Sequence, residues 1–260
     1  MTKQAECVAV IRSLAGALDT LVFPRYCILC DAGCTRVGLC DACRDPMMDT
    51  TQQVCPTCAT PLRAIGGNAA HPRCAACRQL NLGYDATLAL GPYEGGLRSL
   101  CLRLKKRRFA WLAQPLVEML LEARSRQLRS WLDAGDGREA VLVAVPLHWR
   151  RHWSRGYNQA DALGRAFQRP LRLRRIEPVR RVRSTQKLAT LSRAARVVAL
   201  RGAFQAKPDA ASAVKDRDVV LVDDILTTGA TCSAVARILK SSGARRVLSL
   251  VIARAAGPGT

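Results

Sequence analysis

Aromatic residues, acidic residues and long apolar runs are all scarce in this chain of 260 residues. Phe, Trp and Tyr make up 5% of it, too few for a sheet that stacks bases as the common RNA-recognition module does. No stretch reaches the roughly 18 consecutive apolar residues that a membrane-spanning helix needs. Residues 1–20 contain Arg12 within their apolar run and no small-residue cleavage pattern, so we expect no export signal and a cytoplasmic protein.

The shortage of acidic residues leaves a large positive charge. The chain has 20 Asp and Glu against 41 Lys and Arg, a formal net charge of +21. Such an excess indicates an anionic partner, whether phosphate groups, nucleic acid or an acidic surface. Hydrophobic residues make up 49% of the chain, which excludes a disordered basic tail, and the length is sufficient for a core that needs no disulfides.

Cysteine, by contrast, is abundant, and its spacing is informative. Two residues between thiolates allow both sulfurs of a tight turn to bind one tetrahedral ion at about 2.3 Å. In a reducing compartment this pattern favours metal over disulfides. Four pairs make two closed four-thiolate zinc sites, which are structural because no coordination position stays open. Eight of the twelve cysteines form such pairs: Cys27/Cys30, Cys40/Cys43, Cys55/Cys58 and Cys74/Cys77.

The spacing favours sequential pairing, with the first two pairs in one ribbon and the last two in another. An interleaved arrangement is the alternative that spacing alone leaves open. Cys34 and His71 are alternative ligands, although we expect both to be ordinary loop residues. The remaining thiols lie in helical or apolar contexts and are expected to be small core residues: Cys7, Cys101 and Cys232.

The rest of the chain alternates between strand-like and helical patterns. We predict an amphipathic helix at 1–22, a double zinc ribbon at 23–80 and a larger domain at 81–260. Alternation of this kind predicts an α/β fold with a parallel sheet. Strands are expected at 87–90, 140–145, 219–222 and 247–252, and helices at 97–104, 111–128, 159–168 and 230–241.

The strongest sequence signal outside the cysteines follows the apolar strand at 219–222. Asp223 and Asp224 stand at its carboxyl end, where parallel sheets place their sites, and they can hold ribose hydroxyls. A turn rich in hydroxyl groups then leads into a helix, whose N-terminus favours an anion. No Lys follows the glycine of this turn, so a P-loop is disfavoured. The predicted phosphate-binding residues are consecutive: Thr227, Thr228, Gly229, Ala230 and Thr231.

Residues 219–231 resemble the phosphoribosyl pyrophosphate (PRPP) signature of the type I phosphoribosyltransferases over thirteen consecutive residues. A second segment, 155–159, reads Arg-Gly-Tyr-Asn-Gln and resembles the Arg-Gly-Phe-Asn-Gln motif of the ComF family (ComF/GntX). A double zinc ribbon before the transferase domain is the architecture of that family, so the resemblance extends from about residue 21 to 254. The family's entry helix and its basic residue are matched by Tyr93, Gly95, Arg98 and Leu104-Lys105.

The resemblance implies a type I phosphoribosyltransferase-like domain that binds PRPP or a nucleotide phosphate. If the chain is a phosphoribosyltransferase, loop 227–231 holds the 5-phosphate, Asp223 and Asp224 hold the ribose hydroxyls, and Mg²⁺ accompanies PRPP. Whether turnover occurs is left open. Lys105, Arg151 and Arg155 are candidates to neutralise the departing pyrophosphate. Two histidines, His148 and His152, are candidate proton carriers, each weighed against an ordinary hydrogen-bonded or surface role.

One segment departs from the family pattern. Thr185 is present, but Leu188 and Ala199 occupy the places where the family carries Gln and Asn, ahead of the Arg-Gly-Ala-Phe at 201–204. Arg193 and Arg196 still fit. If this segment covers the acceptor, its polar recognition of that acceptor is weakened, which affects acceptor chemistry more than PRPP binding.

The resemblance also implies a role in DNA uptake during natural transformation. The competing hypothesis is a protein that handles single-stranded DNA, with the uptake machinery as partner, and keeps the transferase fold without phosphoribosyl transfer. Aromatic and basic residues interleave at 149–157, and basic clusters recur at 105–108, 172–175 and 180–183. Each basic cluster is equally consistent with a solvated surface. The acceptor and the oligomeric state are open at this stage.

Overall fold

The computed structural model describes residues 26–255 except 35, 49–50, 63–72, 136, 138 and 185–192. The predicted helix at 1–22, Cys7 and His71 lie outside the described residues. The chain divides into two compact units, Met1–Met47 and Met48–Thr260. This division falls between the Cys40/Cys43 pair and the Cys55/Cys58 pair.

In the first unit a short turn precedes a short helix. Tyr26 and Gly33 form an antiparallel bridge that closes the turn containing Cys27 and Cys30. Helix α1 (Asp41–Arg44) starts directly after Cys40, and a 3-10 turn (Asp45–Met48) follows it.

The second unit is built on a five-stranded parallel sheet, which confirms the α/β prediction. The sheet order is β1-β7-β6-β2-β3, with parallel pairing between every pair of neighbours, and β4 pairs antiparallel with β5 in a separate two-stranded sheet. The strands are β1 (Ala86–Pro92), β2 (Ala140–Ala144), β3 (Arg174–Ile176), β4 (Val179–Arg181), β5 (Phe204–Ala206), β6 (Asp218–Leu226) and β7 (Arg246–Arg254).

The helices of this unit cover both faces of the sheet. Helices α4 (Ala113–Asp133) and α6 (Gln159–Leu171) pack on one another and on the sheet, whereas α9 (Ala230–Ser241) packs with α7 (Arg193–Leu200) and β5. A 3-10 segment (Arg107–Leu112) leads into α4. The helices are α2 (Ala75–Gln79), α3 (Gly95–Leu104), α4 (Ala113–Asp133), α5 (Trp149–Arg155), α6 (Gln159–Leu171), α7 (Arg193–Leu200), α8 (Ala210–Val214) and α9 (Ala230–Ser241).

The central strands read as continuous apolar runs because both of their faces are buried. Val219, Val220, Leu221 and Val222 of β6 are fully buried, and the odd-numbered residues share a core with Val235 of α9. Strand β6 extends four residues past the predicted end, because Asp223–Leu226 continue to pair with β7. The sheet therefore carries the two acids on a paired, rigid strand. Among the described residues, no helix is both long enough and apolar enough to cross a membrane.

Candidate functional site

The eight paired cysteines form two groups of four, and both groups are sequential. The first contains Cys27, Cys30, Cys40 and Cys43, and the second contains Cys55, Cys58, Cys74 and Cys77. The sequential pairing predicted from the spacing is therefore confirmed over the interleaved alternative.

The sulfur positions fit a tetrahedral ion. Within each group all four sulfurs lie within 4.8 Å of one another. The Cys30 and Cys40 sulfurs are 3.6 Å apart, and the Cys58 and Cys74 sulfurs are 3.7 Å apart. Zn–S bonds of about 2.3 Å in a tetrahedron require sulfur separations of about 3.8 Å. Both groups thus have the ligand type, ligand number and spacing of a structural zinc site.

The other described cysteines stay outside these groups. The Cys34 thiol donates to the Arg36 carbonyl oxygen over 3.1 Å, so it is not among the four ligands of the first group. Cys101 and Cys232 are buried, as predicted for small core residues. Cys232 also lies close to the candidate site, with its sulfur 3.9 Å from Asp223 Oδ2.

The sheet topology creates a crevice between β2 and β6. From β2 the chain passes through α6 to β3 on one side, and from β6 it passes through α9 to β7 on the other side. Connections that depart in opposite directions leave a gap at the carboxyl ends of the two strands, which is where α/β proteins bind ligands. In this chain residues 145–147 line one wall of the resulting cleft, and Asp223 and Asp224 line the other.

The loop after β6 owes its shape to Gly229. This residue is the N-cap of α9 and has φ = +76°. A residue with a side chain would adopt this left-handed conformation at a cost of about 1–2 kcal/mol. A Cβ at this position would also overlap the hydroxyl of Tyr84. Burial is the main reason that the pKa of Tyr84 is raised, so the phenol stays neutral behind the loop. The glycine therefore allows both the tight turn and the close approach of the tyrosine ring.

The two acids have different environments. Asp224 is 9% exposed, and its Oδ2 accepts a hydrogen bond from the Gln159 amide over 3.4 Å. The Oδ1 of Asp223 accepts the backbone N–H of Asp224 over 2.9 Å. Burial and the neighbouring Asp224 carboxylate raise the pKa of Asp223 well above its usual range. Asp223 therefore keeps its proton to a higher pH than an exposed aspartate does.

The middle residues of the Arg-Gly-Tyr-Asn-Gln segment shape the chain beside the cleft. Gly156, with φ = +73°, ends α5, and Asn158 caps α6 by accepting the Ala160 N–H over 3.1 Å. The Asn158 amide also donates to the Val145 carbonyl oxygen over 3.1 Å, which ties α6 to the end of β2. Burial raises the pKa of Tyr157 to about 12, and its hydroxyl lies inside the protein rather than on the surface.

The structure brings most of the predicted site residues into one cleft of about 270 Å³. The two acids, Thr227 and Thr231 share it with two predicted cations, Lys105 and Arg155. Thr228 and Ala230 line a neighbouring groove instead, and Thr228 Oγ1 lies 3.4 Å from the Ala230 N–H. Arg151 lies in α5, and its side chain is outside what the structure describes. The buried His148 caps α5, its Nδ1 accepting the Arg150 N–H over 3.2 Å, while His152 is exposed.

Helix α5 carries Trp153, the most exposed aromatic side chain among the described residues, and a second exposed tryptophan. Trp153 is 84% exposed and Trp149 is 58% exposed, and the guanidinium of Arg150 lies 5.2 Å from the centre of the Trp149 ring. Arg155, on the same helix, lines the cleft. Stacking rings and cations thus lie on the helix that leads into the site.

Sequence reasoning missed three arginines that contact or line this site. Arg181 of β4 lines the cleft. Arg254 of β7 donates to the carbonyl oxygens of Leu226, over 3.1 Å, and of Thr227. Arg196 of α7 donates to Thr227 Oγ1 over 2.7 Å. In the sequence Arg196 only fits the family pattern, and the one signal for Arg254 is a charge at the carboxyl end of a mostly apolar strand.

The segment that departs from the family pattern is described only in part. Thr185 and Leu188 lie outside the described residues, and Ala199 lies in α7. The weakened polar recognition of the acceptor by this segment stays a prediction.

Comparison with known proteins supports both parts of the chain. Residues 154–258 match the model of the phosphoribosyl transferase domain family, and residues 18–78 match that of the double zinc ribbon domain family. The DNA utilization protein YhgH of Escherichia coli is 31% identical over 87% of this chain and 96% of its own length. Competence protein F of Haemophilus influenzae is 29% identical over 84% and 91%, and competence protein ComFC of Bacillus subtilis is 25% identical over 79% of each chain.

Proposed function

The chain belongs to the ComF family, and from that premise we propose that its cleft binds PRPP or a nucleotide through the 5-phosphate and ribose, in the service of DNA uptake. The observation that supports this most directly is the convergence on one cleft of Asp223, Asp224 and loop residues Thr227 and Thr231. A ligand whose 5-phosphate lies on the loop has its ribose hydroxyls beside the two acids. The relatives named for competence and DNA utilization support the DNA association.

In this proposal the chain's own residues divide the ligand between them. Loop 227–231 binds the 5-phosphate through its N–H groups and hydroxyls at the N-terminus of α9. Asp224 accepts hydrogen bonds from the ribose hydroxyls, and Lys105 and Arg155 bind the pyrophosphate and stabilise its charge as it departs. Positive charge develops at the anomeric carbon, and the two carboxylates stabilise it electrostatically.

The acids also suit a hard cation. Mg²⁺ prefers carboxylate and phosphate oxygens and keeps several waters, so one or two protein ligands suffice. When bound with PRPP, Mg²⁺ supplies charge neutralisation at the pyrophosphate and ribose oxygens. Asp223 must give up its proton to interact with such a cation, because the raised pKa keeps the carboxyl protonated beyond its usual range.

A titration of PRPP with Mg²⁺ by calorimetry tests the proposal. We expect the wild type to bind PRPP with an affinity that salt alters only mildly. Asp224→Asn should weaken this binding by about tenfold to a hundredfold, because a hydrogen bond to a charged group contributes roughly 1.5–3 kcal/mol. Affinity should rise with pH as Asp223 loses its proton. If the wild-type chain binds neither PRPP nor a nucleotide at low ionic strength, the proposal fails.

The raised pKa of Asp223 also predicts how the stability of the fold depends on pH. An acid with a raised pKa binds its proton more tightly when folded, so stability falls as pH rises from the ordinary Asp range to the raised pKa. Asp223→Asn removes that loss, so we expect a higher Tm at pH 7 together with weaker PRPP binding. A lower Tm in this variant contradicts the assignment of a raised pKa to Asp223.

A second candidate function, single-stranded DNA handling without transfer, is favoured by the exposed rings of α5. Exposed rings beside cations stack bases and bind the phosphate backbone. Binding of a fluorescent oligonucleotide should then fall steeply with salt and be insensitive to Asp224→Asn. Trp153→Ala should weaken it by about fivefold to a hundredfold, whereas Trp111→Ala, which removes another exposed ring (43% exposed), should not. Absence of oligonucleotide binding at moderate salt excludes this function.

A further inference from the structure

A single buried arginine joins the second cysteine group to the phosphate loop. Arg254 Nε donates to the carbonyl oxygen of Cys58 over 2.8 Å and to Thr60 Oγ1 over 3.1 Å. Its Nη1 donates to the carbonyl oxygens of Leu226 and Thr227. The guanidinium is rigid and planar, so its two ends hold the cysteine turn and the loop in one fixed relation.

Thr60 extends this connection to a metal ligand. Its hydroxyl oxygen lies 3.2 Å from the Cys58 sulfur. When Cys58 is a thiolate in the four-sulfur site, the Thr60 hydroxyl can donate to the sulfur while it accepts from Arg254. A hydroxyl that is used in both directions has no rotational freedom. The cysteine ligand, Thr60, Arg254 and the loop thus form one continuous hydrogen-bonded chain.

Packing joins the same two regions. Ala59, next to Cys58, is buried in the same core cluster as Tyr84 and Ala230. Tyr84 is 2% exposed, and its hydroxyl lies against Gly229. The cysteine turn and the loop therefore share a close-packed wall in which a shift on one side is transmitted to the other.

We propose that Arg254 is a positioning residue that holds the phosphate loop in place relative to the second cysteine group. Metal occupancy of that group and the affinity of the loop for phosphate are therefore coupled. The ligand-binding part of this inference rests on the proposed function. The carbonyl of Thr227 and the N–H of Thr228 belong to one planar peptide and point in opposite directions. Holding the carbonyl at Arg254 therefore fixes the direction of a loop N–H. Loss of the metal releases the Cys58 turn and with it the far end of the guanidinium.

Arg254→Lys in the full chain tests the assignment, and Arg124→Lys is its matched control. Both arginines are 8% exposed and donate to backbone carbonyls, but Arg124 bonds the Ala89 carbonyl of β1, away from the loop. Lysine keeps the charge and cannot span both sets of acceptors. We expect Arg254→Lys to retain two zinc ions and to bind ribose 5-phosphate about tenfold more weakly, with Arg124→Lys unchanged. Equal effects in both variants, or none in Arg254→Lys, overturn the proposal.

Reciprocity provides a readout that a general loss of stability does not mimic. If zinc at the second group strengthens phosphate binding, saturating ribose 5-phosphate must strengthen zinc binding there by the same factor. Titration with a colorimetric chelator should show that protection in the wild type and in Arg124→Lys, and not in Arg254→Lys. Protection that survives in Arg254→Lys overturns the role of this residue.

Amide hydrogen exchange keeps the two proposals separable. Failure of the wild type to bind PRPP, a nucleotide or ribose 5-phosphate refutes the proposed function and leaves the coupling to be judged without ligand. The amides of 227–230 should then exchange about tenfold faster in Arg254→Lys, or after zinc is removed from the second group, than in Arg124→Lys. Unchanged exchange in these amides refutes the coupling itself.

Discussion

The turn around Cys27 and Cys30 and the turn around Cys55 and Cys58 follow the same backbone course. In each, the residue after the second cysteine has a left-handed conformation, with φ = +58° at Asp31 and +56° at Ala59. In each, the N–H of that residue donates to the carbonyl of the first cysteine, over 2.9 and 2.7 Å. The third cysteine of each group then directly precedes a short helix. The two groups are therefore structural repeats.

Their surroundings differ far more than their geometry. In the first group Cys30 is exposed and Cys40 and Cys43 are half-buried, whereas all four cysteines of the second group are buried. The second group lies in the same compact unit as the sheet. Thr87 of β1 donates through its N–H to the Pro56 carbonyl and through its hydroxyl to the Thr57 carbonyl. One repeat has thus become part of the wall behind the candidate site.

The largest difference should appear when one ligand is removed from each group. We expect Cys55→Ser and Cys30→Ser each to lower the zinc content by one ion per chain. Cys55→Ser should destabilise the sheet-containing unit by more than about 4 kcal/mol, because the lost metal leaves buried, unpaired thiols. Cys30→Ser should leave that unit's unfolding transition within about 0.5 kcal/mol of the wild type. Calorimetry with elemental analysis measures both, and equal destabilisation would contradict the comparison.

The kinetics of metal loss should separate the groups next. A chelator reaches an exposed thiolate directly, whereas a buried group must first open locally. We expect two phases of zinc release of equal amplitude. The rate of the fast phase, from the first group, should exceed that of the slow phase, from the second group, by on the order of tenfold or more. Cys30→Ser should abolish the fast phase and leave the slow one. A single phase, or loss of the slow phase in Cys30→Ser, shows that burial does not control release.

The sequence predicted the ligands of both groups because their spacing is local, and it favoured the correct pairing. It could not predict that only one group is buried in the larger unit, because the residues responsible are distant along the chain. Thr87 lies 30 residues from Thr57, and Arg254 lies 196 residues from Cys58. Neither forms a motif, and their roles follow from the parallel pairing of β7 with β1 and β6.

In the candidate site, too, the residues that are close together in the sequence were predicted and those that are distant were not. Its acids and its loop were predicted because strand, carboxylates and glycine turn are consecutive in the sequence. The pair β4 and β5, which brings Arg181 to the cleft, was not predicted, since each strand has only three residues and its partner is more than twenty residues away. Helix α5 was also missed, because its exposed tryptophans obscure the apolar periodicity that marks a helix.

The smallest effect that distinguishes the groups concerns one hydrogen bond beside each. Thr87→Val keeps the shape of a buried side chain and leaves the Thr57 carbonyl without its 2.7 Å donor, which should cost about 1–3 kcal/mol. Beside the first group, Arg36 and Asp41 form an ion pair of 3.3 Å with both side chains more than half exposed. Arg36→Ala should therefore cost at most a few tenths of a kcal/mol, because solvent screens such pairs. Urea unfolding at constant zinc content measures both values, and a Thr87→Val cost as small as that of Arg36→Ala means that β1 does not hold the second group in place.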